Sequence, residues 1–405
     1  MSKIYDFLLL VALGITACAG SGKTSEEMGT YGYDQAFFAR NGIATEELST
    51  PDGMSRILIV PAYQARVMTS TTGGLQGRSY GWINYQFIEK GEVSPQFNPF
   101  GGEERFWLGP EGGPFSWFFK PGEEQDYAHW KVPAVMDTEP FEKVRKEEAS
   151  ILFSKQFELT NASGHVFRIG VERRIALLDK KETGALFGAE IPESVKSLCY
   201  LTENTLINQG DASWTRETGM PSVWLLCTFN PTPTTTVFAP YDMTWSGAVV
   251  NDSYFGKVPS DRLVADGGVI YFKIDGEYRA KIGLPPGSSL GFCGSYDAEA
   301  GVLNLLKYNK PEGNPAYVNG QWGPQDDPFS GDAVNAYNDG PTETGTVMGP
   351  FFEIETSSPA AALAPGEKLI HIQHMLHLEG SHEDLSRIAR AACGVDLNQV
   401  AAQFK

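Results

Sequence analysis

The sequence predicts an all-β protein, and three observations carry that reading. The 405 residues include 44 glycines and 25 prolines, which supply turns at short intervals. Aromatic residues make up 12% of the chain, in proportion to a large buried core. Short alternating apolar runs recur between turn signals, while long amphipathic helical runs are scarce. A length of 405 residues allows two or three ordinary domains or one large β domain. No clean linker or internal repeat follows residue 50, so one domain over 51–405 is the simplest organisation.

The N-terminus bears on compartment. Lys3 precedes an apolar run, Phe7 to Ile15, that is too short to span a bilayer and fits the core of a signal peptide over 1–17. It ends in Ile15-Thr16-Ala17-Cys18, which resembles a bacterial lipobox. That resemblance implies cleavage before Cys18, lipidation of Cys18, and a cell-envelope protein that meets a membrane only through acyl chains. The stretch Ala17 to Thr24, ACAGSGKT, imitates a phosphate loop, but a signal peptide stands where its core strand would have to be. Residues 18–50 are rich in small and polar side chains and read as a tether.

Strands are expected at Ser55–Val60, Ala65–Ser70, Tyr80–Ile88 and Ser116–Phe119. A hairpin is expected from Ser150–Leu159 and His165–Leu178, turning at Asn161-Ala162-Ser163-Gly164. Further strands are expected at 197–207, Val223–Phe229, Thr235–Phe238 and Val269–Ile274. Asp275-Gly276 should turn the last of these back into Glu277–Ile282, and Leu290–Tyr296 should pair with Gly301–Tyr308. Residues 309–349 form a long loop with Tyr317, Trp322, Phe329 and Tyr337, a composition unlike disorder. Phe351–Thr356 is a strand, and Glu367–Leu378 alternates cleanly. Its two faces carry Ile370, Ile372, His374, Leu376 and Leu378, and His371, Gln373, Met375 and His377. Ser381 and Asp384 then cap a helix that Gly394 ends.

Charge and residue chemistry narrow the function. A net charge of −18 without a basic patch argues against nucleic-acid binding and, more mildly, against strongly acidic ligands. Cys199, Cys227, Cys293 and Cys393 sit among small or apolar neighbours and read as buried free thiols, with no zinc spacing. His371, His374 and His377 imitate a metal triad. On a strand, however, His371 and His377 stand ~20 Å apart and His374 faces the other way. No loop signature supports calcium at Asp326 and Asp327. No metal or cofactor is therefore expected, nor is there a nucleophile elbow.

What remains is carboxylates, arginines and aromatics. Asn98 to Phe119 concentrates them, with five glycines, three prolines, three acids, Arg105, two tryptophans and five phenylalanines in 22 residues. Such a mixture suits a surface that stacks on a sugar ring and hydrogen-bonds its hydroxyls. The bland alternative is a Gly/Pro-rich connection with aromatics folded beneath it.

Three segments resemble the galactose-mutarotase-like superfamily, and more closely a group of lipoproteins from Bacteroidota-type bacteria. They are GGEERFWLGPEGG at 101–113, FFEIETSSP at 351–359 and PGEKLIHIQHMLHL at 365–378. The resemblance implies a β-supersandwich of two large antiparallel sheets, ending in a short helix, with a concave saccharide-binding face. It makes Glu355 the counterpart of the mutarotase general base and Arg105 a substrate-binding arginine. One departure is clear: the segment 203–219 lacks the histidine that serves mutarotases as general acid, and offers Trp214, Arg216 and Glu217 instead. The expected catalytic set is Glu355, Arg105 and Glu217. The expected ligand-binding set is Glu104, Trp107, Glu111, Trp214, Arg216, Trp322 and His377. The expected function is an epimerase, mutarotase or lyase-like enzyme on a sugar, acting as a monomer. A non-catalytic glycan-binding lipoprotein and a structural envelope subunit stand as alternatives. On Phe351–Thr356, alternation places Glu353 and Glu355 on one face, with Phe352, Ile354 and Thr356 towards the core.

Overall fold

The computed structural model describes residues 27–342 and 345–405. The segment expected to be a signal peptide and the expected lipidation site Cys18 lie outside the described residues. Three sheets are seen, antiparallel at every strand pair. The largest has ten strands. From edge to edge they are β11 (Leu263–Asp266), β12 (Val269–Lys273), β10 (Thr235–Pro240), β14 (Phe292–Asp297), β15 (Val302–Tyr308), β18 (Lys368–Glu379), β8 (Lys196–Asn208), β7 (Val166–Leu178), β6 (Ser150–Thr160) and β5 (Glu142–Lys146). A five-stranded sheet runs β13 (Ala280–Leu284), β16 (Val334–Asn338), β17 (Phe352–Ser357), β9 (Ser222–Phe229) and β4 (Arg105–Gly109). The smallest holds β1 (Glu46–Ser49), β2 (Arg56–Val60) and β3 (Arg66–Thr71).

The ten- and five-stranded sheets face one another across the main core. Ile151, Phe153, Val171, Leu206 and Met375 from the larger meet Phe106, Leu108, Leu225, Cys227 and Ile354 from the smaller. Polar groups also cross this gap: Gln373 Nε2 reaches Cys227 Sγ at 3.1 Å, and His371 Nε2 lies 2.9 Å from Thr356 Oγ1. The opposite face of the large sheet is covered by α3 (Lys180–Phe187), α4 (His382–Cys393) and α5 (Leu397–Ala402), with Phe187, Leu385, Ile388 and Val400 packed on Leu376 and Leu378. In α4, Ser381 accepts from the Asp384 N–H and Gly394 closes the helix in the left-handed region, as the capping signals predict.

β18 shows why alternation alone does not say which face is buried. Its two faces are those expected, but the inward face is the polar one. His371, Gln373, Met375 and His377 are all buried, whereas Ile370 is 47% exposed. The helices cover only the far end of the outer row, so Ile370 lies beyond their reach.

Five expectations need correction. Residues 309–349 are not one loop, because Val334–Asn338 forms β16 between β13 and β17. The span 18–50 is not all tether: Tyr31–Arg40 forms α1, capped by Thr30, with Tyr31, Phe37 and Phe38 buried against Leu58, Val60 and Met68. Tyr80–Ile88 is not a strand. Gly81 and Ile83 make isolated bridges, then Asn84 caps α2 (Tyr85–Lys90) by accepting from the Phe87 N–H, and Gly91 ends it. Ser116–Phe119 pairs with no strand, because Trp117, Phe118 and Phe119 are all drawn inward together. Finally, Asp275-Gly276 is a turn but not a hairpin. Asp275 is gripped by both guanidinium nitrogens of Arg262 and by Asn338 Nδ2, and the chain passes there from β12 in the large sheet to β13 in the five-stranded one. The free cysteines Cys199, Cys227 and Cys293 are buried and Cys393 is half-buried.

Candidate functional site

The five-stranded sheet has a second face, turned away from the main core. β9 sets its registers. Arg105 on β4 and Glu355 on β17 both pair with Leu226, so their Cα atoms lie two strand spacings apart, ~10 Å. Asn335 on β16 pairs with Glu355 from the other side, and Lys281 on β13 pairs with Tyr337. Alternation then brings Arg105, Trp107, Trp224, Thr228, Glu353, Glu355, Asn335 and Lys281 to one face. Phe352, Ile354 and Thr356 point to the core, as expected.

Charges on this face are matched pairwise, but two buried atoms are left over, Arg105 Nε and one oxygen of Glu355. Arg105 Nη2 donates to Glu353 Oε1 at 3.0 Å, and Thr228 Oγ1 donates to the same oxygen at 3.0 Å. Glu355 Oε2 accepts from Trp224 Nε1 at 2.8 Å and from Lys281 Nζ at 3.0 Å. Glu355 Oε1 is buried and has no partner. One oxygen of this carboxylate is thus fixed by two donors while the other is left open. Glu103 also leaves Oε2 unmatched, but it faces the Tyr200 hydroxyl inside the sandwich.

Neighbouring groups tune the site. Burial raises the Glu111 carboxyl above the ordinary glutamate range; Glu355 adds to the rise, and Lys281 and the indole N–H groups of Trp322 and Trp130 oppose it. Glu353 is raised by burial and by Glu355, against the pull of Arg105. Burial works against the Lys281 ammonium, but Glu355 and Glu111 outweigh it and hold its pKa above the usual lysine value. Beside them the Tyr254 hydroxyl donates to Asp332 Oδ2 at 2.6 Å and accepts from Asn335 Nδ2 at 3.2 Å. Burial lifts Asp332 to about 6. Four carboxylates against two cations make the site a poor host for an anion.

The expected residues divide. Glu355, Arg105 and Glu111 belong to this cluster, and Trp322 stands at its rim. Trp107 lies within it but is no open platform: its Nε1 donates to Met136 O at 2.8 Å, and its ring is enclosed by the Arg105 guanidinium and Trp224. Glu104 is elsewhere, sealed between the sheets. Arg173 Nη2 and Gln373 Nε2 each donate to it at 2.7 Å, and Thr202 Oγ1 at 3.1 Å. His377 is likewise internal, stacked on Tyr80 and held by Glu103 and Asn304. Trp214 is buried against Phe167. Glu217 is exposed and its carboxyl is lowered by a hydrogen bond from Thr215. Arg216 pairs with Asp327 at 3.1 Å over the Phe329 ring. These last residues do not converge with Glu355.

Lys281, Trp224, Tyr254, Asp332 and Asn335 are missing from the expected sets. Strand alternation could have found Trp224 had the pairing with β17 been known, whereas Asn335 lies in the segment read as a loop. Lys281 carried no signal, because its strand was assigned to the wrong sheet. His371 and His377 face the core while His374 faces outward, and no group of three potential metal ligands converges among the described residues.

The match to known proteins is broad but distant. Residues 29–404 match the model of a family described as a family of unknown function (DUF6786). No curated protein matches the sequence. Among solved structures, the Slr1438 protein from Synechocystis sp. PCC 6803 is similar at 12% identity and TM-score 0.50, covering 83% of this chain and 96% of that one. A galactose mutarotase-like protein from Lactobacillus casei is similar at 10% identity and TM-score 0.48, covering 83% and 99%. A provisionally assigned aldose 1-epimerase from Escherichia coli K12 is similar at 13% identity and TM-score 0.45, covering 84% and 100%. The fold is all-β with large antiparallel sheets, as expected from the sequence, and the Slr1438 protein shares it.

Proposed function

The chain belongs to a family of unknown function, DUF6786, and from that premise we propose that it is a lipid-anchored envelope protein that binds a neutral saccharide over the outer face of the five-stranded sheet and acts on it with Glu355 as base. The observation that carries this is the Glu355 carboxylate, with Oε2 fixed by Trp224 and Lys281 and buried Oε1 without a partner. A sugar hydroxyl supplies the missing donor. Neutral ligands suit the surplus of carboxylates.

In an epimerisation at the anomeric carbon, Glu355 takes the proton of the anomeric hydroxyl. Glu111, whose raised pKa favours its protonated form, gives a proton to the ring oxygen as the ring C–O bond breaks. Reclosure on the other face of the carbonyl reverses both transfers, so atoms and protons balance. Lys281 remains protonated and holds Glu355 in place. A second reading, glycan binding without catalysis, is favoured by one observation: Glu355 is only 1% exposed, which leaves its carboxylate little room to meet a reacting atom.

The test is a panel of free sugars and oligosaccharides followed by NMR at the reducing end, with Glu355→Gln as control. The variant keeps size and polarity and lowers kcat by ~10²–10⁴-fold with ligand affinity nearly unchanged. Binding without turnover in the unmodified protein supports the second reading. No binding of any saccharide refutes both.

A further inference from the structure

We propose that Tyr127 and Trp322 form a platform for further units of a glycan chain, so that the ligand of the Glu355 site is a neutral oligosaccharide and not a free monosaccharide. The inference rests on the saccharide reading above and deepens it.

Tyr127, Trp130 and Trp322 form a near-parallel set. The Tyr127 and Trp130 ring centroids are 6.1 Å apart at 15°, and those of Trp130 and Trp322 are 6.2 Å apart at 24°. Trp130 is buried, but Tyr127 is 64% and Trp322 38% exposed. Large aromatic rings left open in this way lose burial that the main core would have given them. They are also held in place. Gln125 Oε1 accepts from the Gly113 and Gly323 N–H groups at 2.8 Å each, and its Nε2 donates to Gly113 O at 2.8 Å. That side chain ties together the three loops carrying Glu111, Tyr127 and Trp322.

Continuity with the site decides the occupant. Glu111 lies close enough to the Trp130 and Trp322 indoles, to Lys281 and to Glu355 for each to act on its carboxyl, and Trp130 Nε1 is buried without a hydrogen-bond partner. The platform therefore begins where the carboxylate cluster ends. An exposed flat ring suits the apolar face of a pyranose, and the charge balance of the cluster excludes acidic chains.

The experiment uses the full chain and neutral gluco-, galacto-, manno- and xylo-oligosaccharides of one to six units, with affinity from calorimetry and tryptophan fluorescence. In at least one series affinity should rise with length, and Trp322→Ala and Tyr127→Ala should each weaken the longer members by about 5- to 150-fold, with base stacking on aromatic side chains as the analogue. Monosaccharide affinity should stay unchanged in Tyr127→Ala, whose ring lies outside the carboxylate cluster. Length-independent binding that neither variant disturbs overturns the platform and leaves the saccharide reading standing. No binding at any length overturns both. A concentration-dependent dimer lost in the two variants overturns the platform in favour of a second copy of this chain.

Discussion

Replacing Glu104 by Gln removes the charge against which Arg173 is buried. Both side chains are wholly inaccessible, and their pair at 2.7 Å lies between the two large sheets. Arg173 has other partners, Asn204 Oδ1 at 2.6 Å and Ala65 O at 3.2 Å, but neither carries charge. Breaking a buried pair from one side costs ~3–5 kcal/mol, because the remaining ion is left uncompensated. The unfolding entropy of ~380 folded residues is on the order of 0.8 kcal/mol per degree, so the melting temperature should fall by ~4–6 °C. Replacing both partners, Glu104→Leu with Arg173→Met, removes both charges. It leaves the Thr202 hydroxyl and Asn204 Oδ1 short of a partner, each costing ~1–3 kcal/mol. The double variant should therefore lie below the native protein but well above the sum of the two single losses. Thermal and urea unfolding followed by circular dichroism measure this. Strict additivity, or a Glu104→Gln variant that melts normally while losing glycan affinity, would refute the structural role and return Glu104 to the ligand-binding set.

Two further outcomes are expected. Burial holds His371 neutral, with its pKa pushed from 6.5 down to about 3. Between those values the unfolded chain binds a proton that the native protein does not, so this contribution is complete above pH 6.5 and declines as pH falls towards 3. Urea midpoints across that range should fall less steeply in His371→Gln, and an undiminished slope would show that other groups control acid unfolding. Cys18→Ala should move the protein from membranes to the soluble envelope fraction; unchanged partition would end the lipobox reading.

The fold was legible because turns and alternation repeat through the chain. The hairpin of β6 and β7, the pair β14 and β15, and the capped helix α4 follow from local chemistry alone. The orientation of Glu353 and Glu355 was legible for the same reason. Whatever depends on which strands become neighbours was not. Asp275-Gly276 has the chemistry of a hairpin turn, yet Arg262 and Asn338 hold it at a crossing between sheets. Lys281 follows that crossing, and so the cation that fixes Glu355 could not be seen. His377 and Glu104 were misplaced because polar residues on an alternating strand read as solvent-facing. Here buried polar partners satisfy them inside: Arg173 and Gln373 for Glu104, Glu103 and Asn304 for His377.

The segment Gly101 to Arg105 shows how a carboxylate with a role in folding is told from one left open for a ligand. Three consecutive charged side chains there go to three different partners: Glu103 to His377 and Ser70, Glu104 to Arg173, and Arg105 to Glu353. The two glycines before them permit this. A Cβ on Gly101 would lie 2.3 Å from Trp82 O, and one on Gly102 2.4 Å from Arg66 Cδ, with both residues at positive φ. The glycines therefore serve close packing of backbone against protein, not approach to a sugar. A charge with a protein partner on every polar atom has nothing to offer a ligand without first losing what it has. Arg105 Nη2 and Glu353 Oε1 are committed to each other, but buried Arg105 Nε has no protein partner, so the arginine still has a donor to offer. On the outer face of the sheet Glu355 is the carboxylate left open: its donors converge on one oxygen, and the other is buried without a partner.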